Sequence, residues 1–219
     1  GGKLCFGYDG SIYTIQQGGQ PQKLSVTVST AEKNNSELVM EVNGNVREMA
    51  VSPDGKEVAF IVRGEVFVSS ADGGITKRIT NTPEEERFLG FSPTGDSLIY
   101  ASERGNTWKI FISRIVNPGE PYFYASTVVK EEPLISSTHD SYQPKISPDG
   151  REFAYIEDRR SLKIFNIKTK QTRTLLTPEN LIYMSEGDQY FQWSPDSKWL
   201  LAEYSPVMSN SEVALIPAD

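Results

Sequence analysis

Few side chains in this chain have the types needed for covalent or metal chemistry. His139, followed by Asp140, is the sole histidine of 219 residues. Any Ser-His-Asp relay or imidazole metal site would have to be built on it. No Gly-x-Ser-x-Gly elbow occurs to supply the nucleophile. Cys5 is the one cysteine, so neither an internal disulfide nor a cysteine zinc cage can form. The acidic runs Glu84-Glu85-Glu86, Glu131-Glu132 and Glu157-Asp158 lack the Asp-x-Asp-x-Asp-Gly spacing of a calcium loop. They read as solvated faces, with a collar that biases which peptides or cations approach as the functional alternative. No residue is assigned a catalytic or metal role, and no cofactor is expected.

The elements that position these residues follow one phrase repeated four times: Ser52-Pro53-Asp54-Gly55, Ser92-Pro93-Thr94-Gly95, Ser147-Pro148-Asp149-Gly150 and Ser194-Pro195-Asp196-Ser197. The serines at 52, 92, 147 and 194 stand 40, 55 and 47 residues apart, the period of a four-stranded propeller blade. Pro presets φ for a turn, Asp bonds back to the local backbone, and Gly accepts positive φ. Apolar clusters follow at fixed offsets: Val58-Ala59-Phe60, Leu98-Ile99-Tyr100, Phe153-Ala154-Tyr155 and Leu200-Leu201-Ala202. The phrase is therefore predicted to join the first and second strands of each blade, with Ser197 making the last turn strained where Gly is missing. Third strands are expected at Val66-Phe67-Val68, Ile110-Phe111-Ile112, Ile164–Ile167 and Val213–Ile216, and no stretch has the period of an amphipathic helix.

The fold class is all-β, a β-propeller fragment of about four to five four-stranded blades. The blades span 3–30 (partial), 46–80, 87–136, 142–177 and 189–219 (partial), as one propeller region over 3–219. Both end blades are expected to be incomplete, as in a piece cut from a longer chain, leaving sheet edges that pair with a neighbouring molecule. Cys5 falls at the strand position of Ala59 and Ala154 and is expected to be a small buried residue. Phe60, Tyr100, Tyr155 and Trp193 are expected in the core. His139 precedes Ser147 in the same inter-blade stretch that Pro83-Glu84-Glu85 occupies before Ser92, which favours a structural loop role. Tyr122-Phe123-Tyr124 falls in the residues that stretch one repeat to 55. It is read either as a docking element or as a loop folded back on its own blade. A net charge of −7 argues against a nucleic-acid surface, and the chain has no apolar run long enough to insert in a membrane as a helix.

The unit of residues 51–80, hydrophobic then Ser-Pro-Asp-Gly-Lys, Val-Ala-Phe, Glu-Val-Phe-Val, Asp-Gly-Gly and Lys-Arg-Ile-Thr, resembles the propeller repeat shared by tricorn proteases and TolB. The stretch from Val46 to Ile115, with the 117–135 insertion, is most similar to the second propeller of bacterial tricorn-like peptidases. The resemblance implies a non-catalytic propeller in an oligopeptide-degrading serine peptidase, acting as substrate filter, channel or scaffold. Its partners would be peptides or a protein, together with downstream PDZ-like and peptidase domains of the same chain. Residues just before each Ser-Pro would line the channel, with Arg47-Glu48, Arg87-Phe88, Tyr142-Gln143 and Gln189-Tyr190 at its mouth. Two alternatives stay open: a TolB-like interaction module of the cell envelope, and the lid propeller of a prolyl-oligopeptidase-type hydrolase. Export in these families makes the periplasm the expected compartment, while the lack of disulfides also fits the cytoplasm.

Overall fold

A computed structural model describes residues 2–8, 10–26, 44–135, 137–179, 190–207 and 210–219. Eighteen β-strands and no helix occur among them. The chain divides into two compact units, residues 1–44 and 45–219.

The first unit holds a three-stranded antiparallel meander of β1 (Lys3–Tyr8), β2 (Ser11–Gln16) and β3 (Gln22–Lys23). Phe6 stacks on Tyr13 at 5.7 Å between ring centres. All six residues of β1 are exposed, Cys5 among them, contrary to the expected burial. Ala59 and Ala154, its counterparts by register, are each covered by an adjoining sheet.

The second unit contains four sheets, each a meander in chain order. The first is β4 (Val46–Val51), β5 (Glu57–Val62), β6 (Glu65–Ser70) and β7 (Thr76–Arg78). The second is β8 (Glu86–Phe91), β9 (Ser97–Glu103), β10 (Trp108–Ile115) and β11 (Val129–Ile135). The third is β12 (Ser141–Ile146), β13 (Glu152–Glu157), β14 (Ser161–Asn166) and β15 (Thr172–Leu176). The last is β16 (Phe191–Trp193), β17 (Trp199–Val207) and β18 (Asn210–Pro217). The sheets converge along their first strands β4, β8 and β12. This is a β-propeller fragment, with three four-stranded sheets and a three-stranded one in this unit.

Both faces of the middle sheets are buried, which explains their continuous apolar runs. Leu98 and Tyr100 pack with Ala59, Ile61, Val66 and Val68 of the preceding sheet. Ile99 points the other way and packs with Phe153, Tyr155 and Phe165 of the following one. Ala154, Ile156, Leu162 and Ile164 meet Phe191, Trp193, Leu200 and Ala202 in turn. Tyr100, Tyr155 and Trp193 are buried as expected, while Phe60 is half-buried.

The repeated phrase forms the first hairpin of each sheet. Ser52 Oγ donates to Asp54 Oδ1 (2.7 Å) and accepts from Glu57 N (2.9 Å), while Asp54 Oδ1 accepts from Lys56 N (3.1 Å). The same network recurs around Ser147-Asp149 and Ser194-Asp196. Gly55, Gly95 and Gly150 sit at φ 73°, 78° and 73°, and Ser197 is held at 61° in the same place. The hairpins also touch one another. A side chain on Gly95 or Gly150 would meet the ring of Pro53 or Pro93 of the preceding hairpin, and Ser197 Oγ accepts from Asp149 N at 3.0 Å.

Candidate functional site

The starts of the first strands bear irregularities that their sequence does not announce. In β8 the pairing passes from Arg87↔Ala101 to Gly90↔Ile99, and in β12 from Tyr142↔Ile156 to Lys145↔Ala154. Each strand thereby carries one extra residue, a β-bulge. Phe88 (φ 60°) and Gln143 (φ 52°) occupy the left-handed region at these bulges. For a bulky residue this costs about 1–2 kcal/mol and persists only where the surroundings impose it. In β8 the imposing group is Glu48 of the preceding sheet: its Oε2 accepts the Leu89 N–H at 3.0 Å and its Oε1 the Arg87 Nε–H at 3.3 Å.

A pattern links successive sheets along this row. The residue four before Ser in one sheet touches the residue five before Ser in the next. Glu48 bonds Arg87, and Phe88 lies edge-on to Tyr142 at 6.4 Å. Arg87 also covers the Phe88 ring at 4.9 Å. Tyr142 donates to Asp140 Oδ2 at 3.0 Å, packs on Trp108 at 5.9 Å and carries Arg159 over its ring at 5.1 Å. Burial, followed by the Asp140 carboxylate, raises its hydroxyl pKa. Arg47 pairs with Glu85 beside a cavity of about 520 Å³ lined by Asn45, Arg63 and Glu84 as well. Arg47, Arg87 and Tyr142 thus lie along one row, while Gln189 falls outside the described residues. The row runs from the charged Arg47, Glu48 and Arg87 to the half-buried ring of Phe88 and the buried ring of Tyr142, and its charged part suits the amides and polar side chains of a polypeptide.

Tyr122, Phe123 and Tyr124 lie elsewhere, beside the Ser-Pro hairpins, and fold onto the preceding sheet. Phe123 is fully buried against Phe91 (6.2 Å) among Ala59, Val66 and Leu98, so it offers nothing to a docking partner. Tyr122 and Tyr124 are half-buried and stacked at 5.3 Å; Tyr122 Oη accepts from Lys56 Nζ at 3.0 Å. The segment therefore straps two blades together. The residues after it form the fourth strand, β11.

The acidic runs are more structural than collar-like. Glu86 is fully buried. Glu131 accepts both terminal nitrogens of Arg104 (2.7 Å each) and the Tyr100 hydroxyl (2.6 Å), and Glu157 pairs with Lys163. His139 Nδ1 lies 2.6 Å from Asp158 Oδ2, the base-and-orienter half of a relay. Its neighbour Ser137 Oγ is instead bound to the His139 main chain, donating to O (3.0 Å) and accepting from N (3.2 Å). Among the described residues no hydroxyl is hydrogen-bonded to the imidazole.

The bulges, the bonds of Glu48 to the next sheet and the burial of Glu86 were not read from sequence. No signal marks Phe88 or Gln143, because neither is glycine. Glu57 and Glu152 were not singled out either, though an acid five residues after both Ser52 and Ser147 is a signal that could have marked them.

No family model matches this chain, and no curated protein matches it. Solved β-propeller structures do. The putative TolB from Agrobacterium tumefaciens superposes with a TM-score of 0.57 at 17% identity, over 99% of this chain and 73% of that one. An oligogalacturonate lyase in complex with manganese gives 0.61 at 16%, over 94% and 54%. The tricorn protease gives 0.51 at 13%, over 97% and 19%. At these identities the likeness is one of fold. The chain spans about three quarters of the first structure, half of the second and a fifth of the third. Among the described residues no helix is long and apolar enough to cross a membrane.

Proposed function

We propose that this chain is a polypeptide-binding propeller segment: the non-catalytic propeller of a tricorn-like serine peptidase, admitting extended oligopeptides to a catalytic domain. The observation that carries this reading is the row at the first-strand starts, where the charged groups Arg47, Glu48 and Arg87 lead to the half-buried Phe88 ring and the buried Tyr142, with Phe88 held at positive φ. Its partners in this reading are peptides and the PDZ-like and peptidase domains of the parent chain, in the periplasm. A TolB-like envelope interaction module is the second reading, favoured by the larger share of the TolB structure that this chain covers, 73% against 19% of the tricorn protease.

A labelled, unstructured, N-acetylated oligopeptide should bind with weak sequence preference, and Arg87→Ala should weaken it about tenfold, the loss of one charge-assisted contact. Equal binding by Arg87→Ala and Tyr142→Ala variants would remove the row from the account. Retention of one folded partner with no peptide binding would favour the TolB-like reading. The isolated chain should hydrolyse no peptide or ester, because among the described residues no nucleophile is bonded to His139. Turnover abolished by His139→Ala would overturn that.

A further inference from the structure

At the opposite end of the first strands a second cavity, of about 300 Å³, opens between two successive Ser-Pro hairpins and the strap. Its walls include the rings of Pro53, Pro93, Pro121 and Tyr122, with Asp54 and Thr94 among the polar groups and Glu57 lining it from the sheet. The Glu57 side chain belongs to a residue only 1% exposed. Its Oε1 accepts the Tyr124 N–H at a long 3.3 Å, and no cation lies within 4 Å of it among the described residues.

The repeat supplies an internal control. Glu152 holds the same register two sheets on, and there Arg173 grips both carboxylate oxygens at 2.7 Å. Arg173 pairs with Ile164, two positions from the residue opposite Glu152. The matching partner in the earlier sheet is Lys77, which pairs with Val68, two positions from the residue opposite Glu57. Lys77 does not reach Glu57. Its Nζ bonds the main-chain oxygen and hydroxyl of Ser126, in the strap that enters between the two side chains. The nearby Lys56 is likewise engaged, by the Tyr122 hydroxyl.

We infer that the cavity is a subsite for a compact organic cation, an alkylammonium or guanidinium group presented by a peptide, with the Glu57 carboxylate taking the place in the ion pair that faces Arg173 in the later sheet. Proline and tyrosine rings suit the alkyl portion of such a group, and Asp54 adds a second negative charge at the wall. Burial, with a smaller contribution from Asp54, raises the Glu57 carboxyl pKa, the direction expected of an acid that lacks its counter-ion. This inference stands on the cavity alone and does not depend on the row at the other end of the strands.

The test is a titration of the isolated chain followed by amide chemical shifts, with butylammonium, free-amino trialanine and an N-acetylated lysine peptide as probes. Saturable shifts at residues 52–57, 94 and 122–124 are expected with dissociation constants on the order of millimolar. Trialanine and the acetylated lysine peptide separate an amino terminus from a side chain as the source of the cation. Glu57→Gln, which keeps the Tyr124 contact, should weaken binding at least about tenfold. Lys77→Arg, which leaves Glu57 in place and offers it a longer guanidinium, should do the same. It decides the matter if Glu57→Gln does not fold. Equal shifts from neutral butanol, undiminished binding in the variants, or no saturable shift at all would overturn the assignment.

Discussion

Proton counting around one threonine exposes an unusual ionisation in the fold. Thr80 Oγ1 lies 2.6 Å from Glu65 Oε2 and 3.0 Å from Glu86 Oε2 while accepting the Val66 N–H at 2.9 Å. A hydroxyl has one proton, so it can donate to only one of these carboxylates. The other contact is satisfied when Glu86 is protonated and donates to Thr80. Burial pushes the Glu86 carboxyl up to about 7, with the Glu65 charge adding to it and the hydroxyls of Ser102, Thr80 and Thr82 opposing. Arg104 stands 3.7 Å away but turns both terminal nitrogens to Glu131. Because the folded-state value lies above the unfolded one, the native state holds more protons between pH about 4.5 and 7. Stability therefore falls as pH rises through that window, by up to about 3 kcal/mol. Urea unfolding at pH 5 and pH 8 should show this fall, and Glu86→Gln should flatten it; an equal slope in the variant would remove Glu86 as its cause. The turn aspartates act in a separate range. Ser52 and Ser194 hold Asp54 and Asp196 below the usual carboxylate range, so their contribution is present above pH about 4 and lost on further acidification.

At the scale of the element, the first hairpin shows a turn whose residue types can be weighed against each other. Gly150 sits at φ 73°, and a side chain there would meet Pro93 only at an ordinary 3.8 Å. The cost of Gly150→Ala is thus conformational, about 1–2 kcal/mol. Ser197 already bears that cost at φ 61° but returns part of it through the Asp149 N–H contact. Thermal unfolding should therefore show Gly150→Ala lowering Tm clearly and Ser197→Gly changing it less; a large gain from Ser197→Gly would mean that the contact contributes nothing. These hairpins were legible in sequence because Pro and Gly tie residue type directly to φ. The bulges were not, since Phe88 is held at positive φ by the tertiary contact of Glu48 with the Leu89 N–H, and Gln143 is likewise a residue type that does not announce positive φ. Cys5 shows the same limit: its register against Ala59 was readable, but burial depends on a covering sheet, which register does not reveal.

For the molecule as a whole, the 40–55-residue period made the architecture readable, because every blade needs the same strand-turn-strand order and the middle blades bury both faces. The 55-residue repeat was harder, since its extra length is a strap with Phe123 driven between blades, and its outer strand β11 lies under an acidic run that reads as surface. The row of Arg47, Arg87 and Tyr142 was legible as a set of equivalent positions before Ser-Pro; the hand-over from Glu48 to Arg87 and from Phe88 to Tyr142 became visible only in three dimensions. The account rests on that row receiving an extended polypeptide. Hydrogen exchange of the chain with and without a saturating, unstructured, N-acetylated and lysine-free oligopeptide measures this most directly, because such a probe carries no cation for the Glu57 cavity. The account predicts slowed exchange at 46–48, 86–89 and 141–143 with the Ser-Pro hairpins unchanged. Protection confined to the hairpins, or none at any of these segments with the peptide bound, would contradict it.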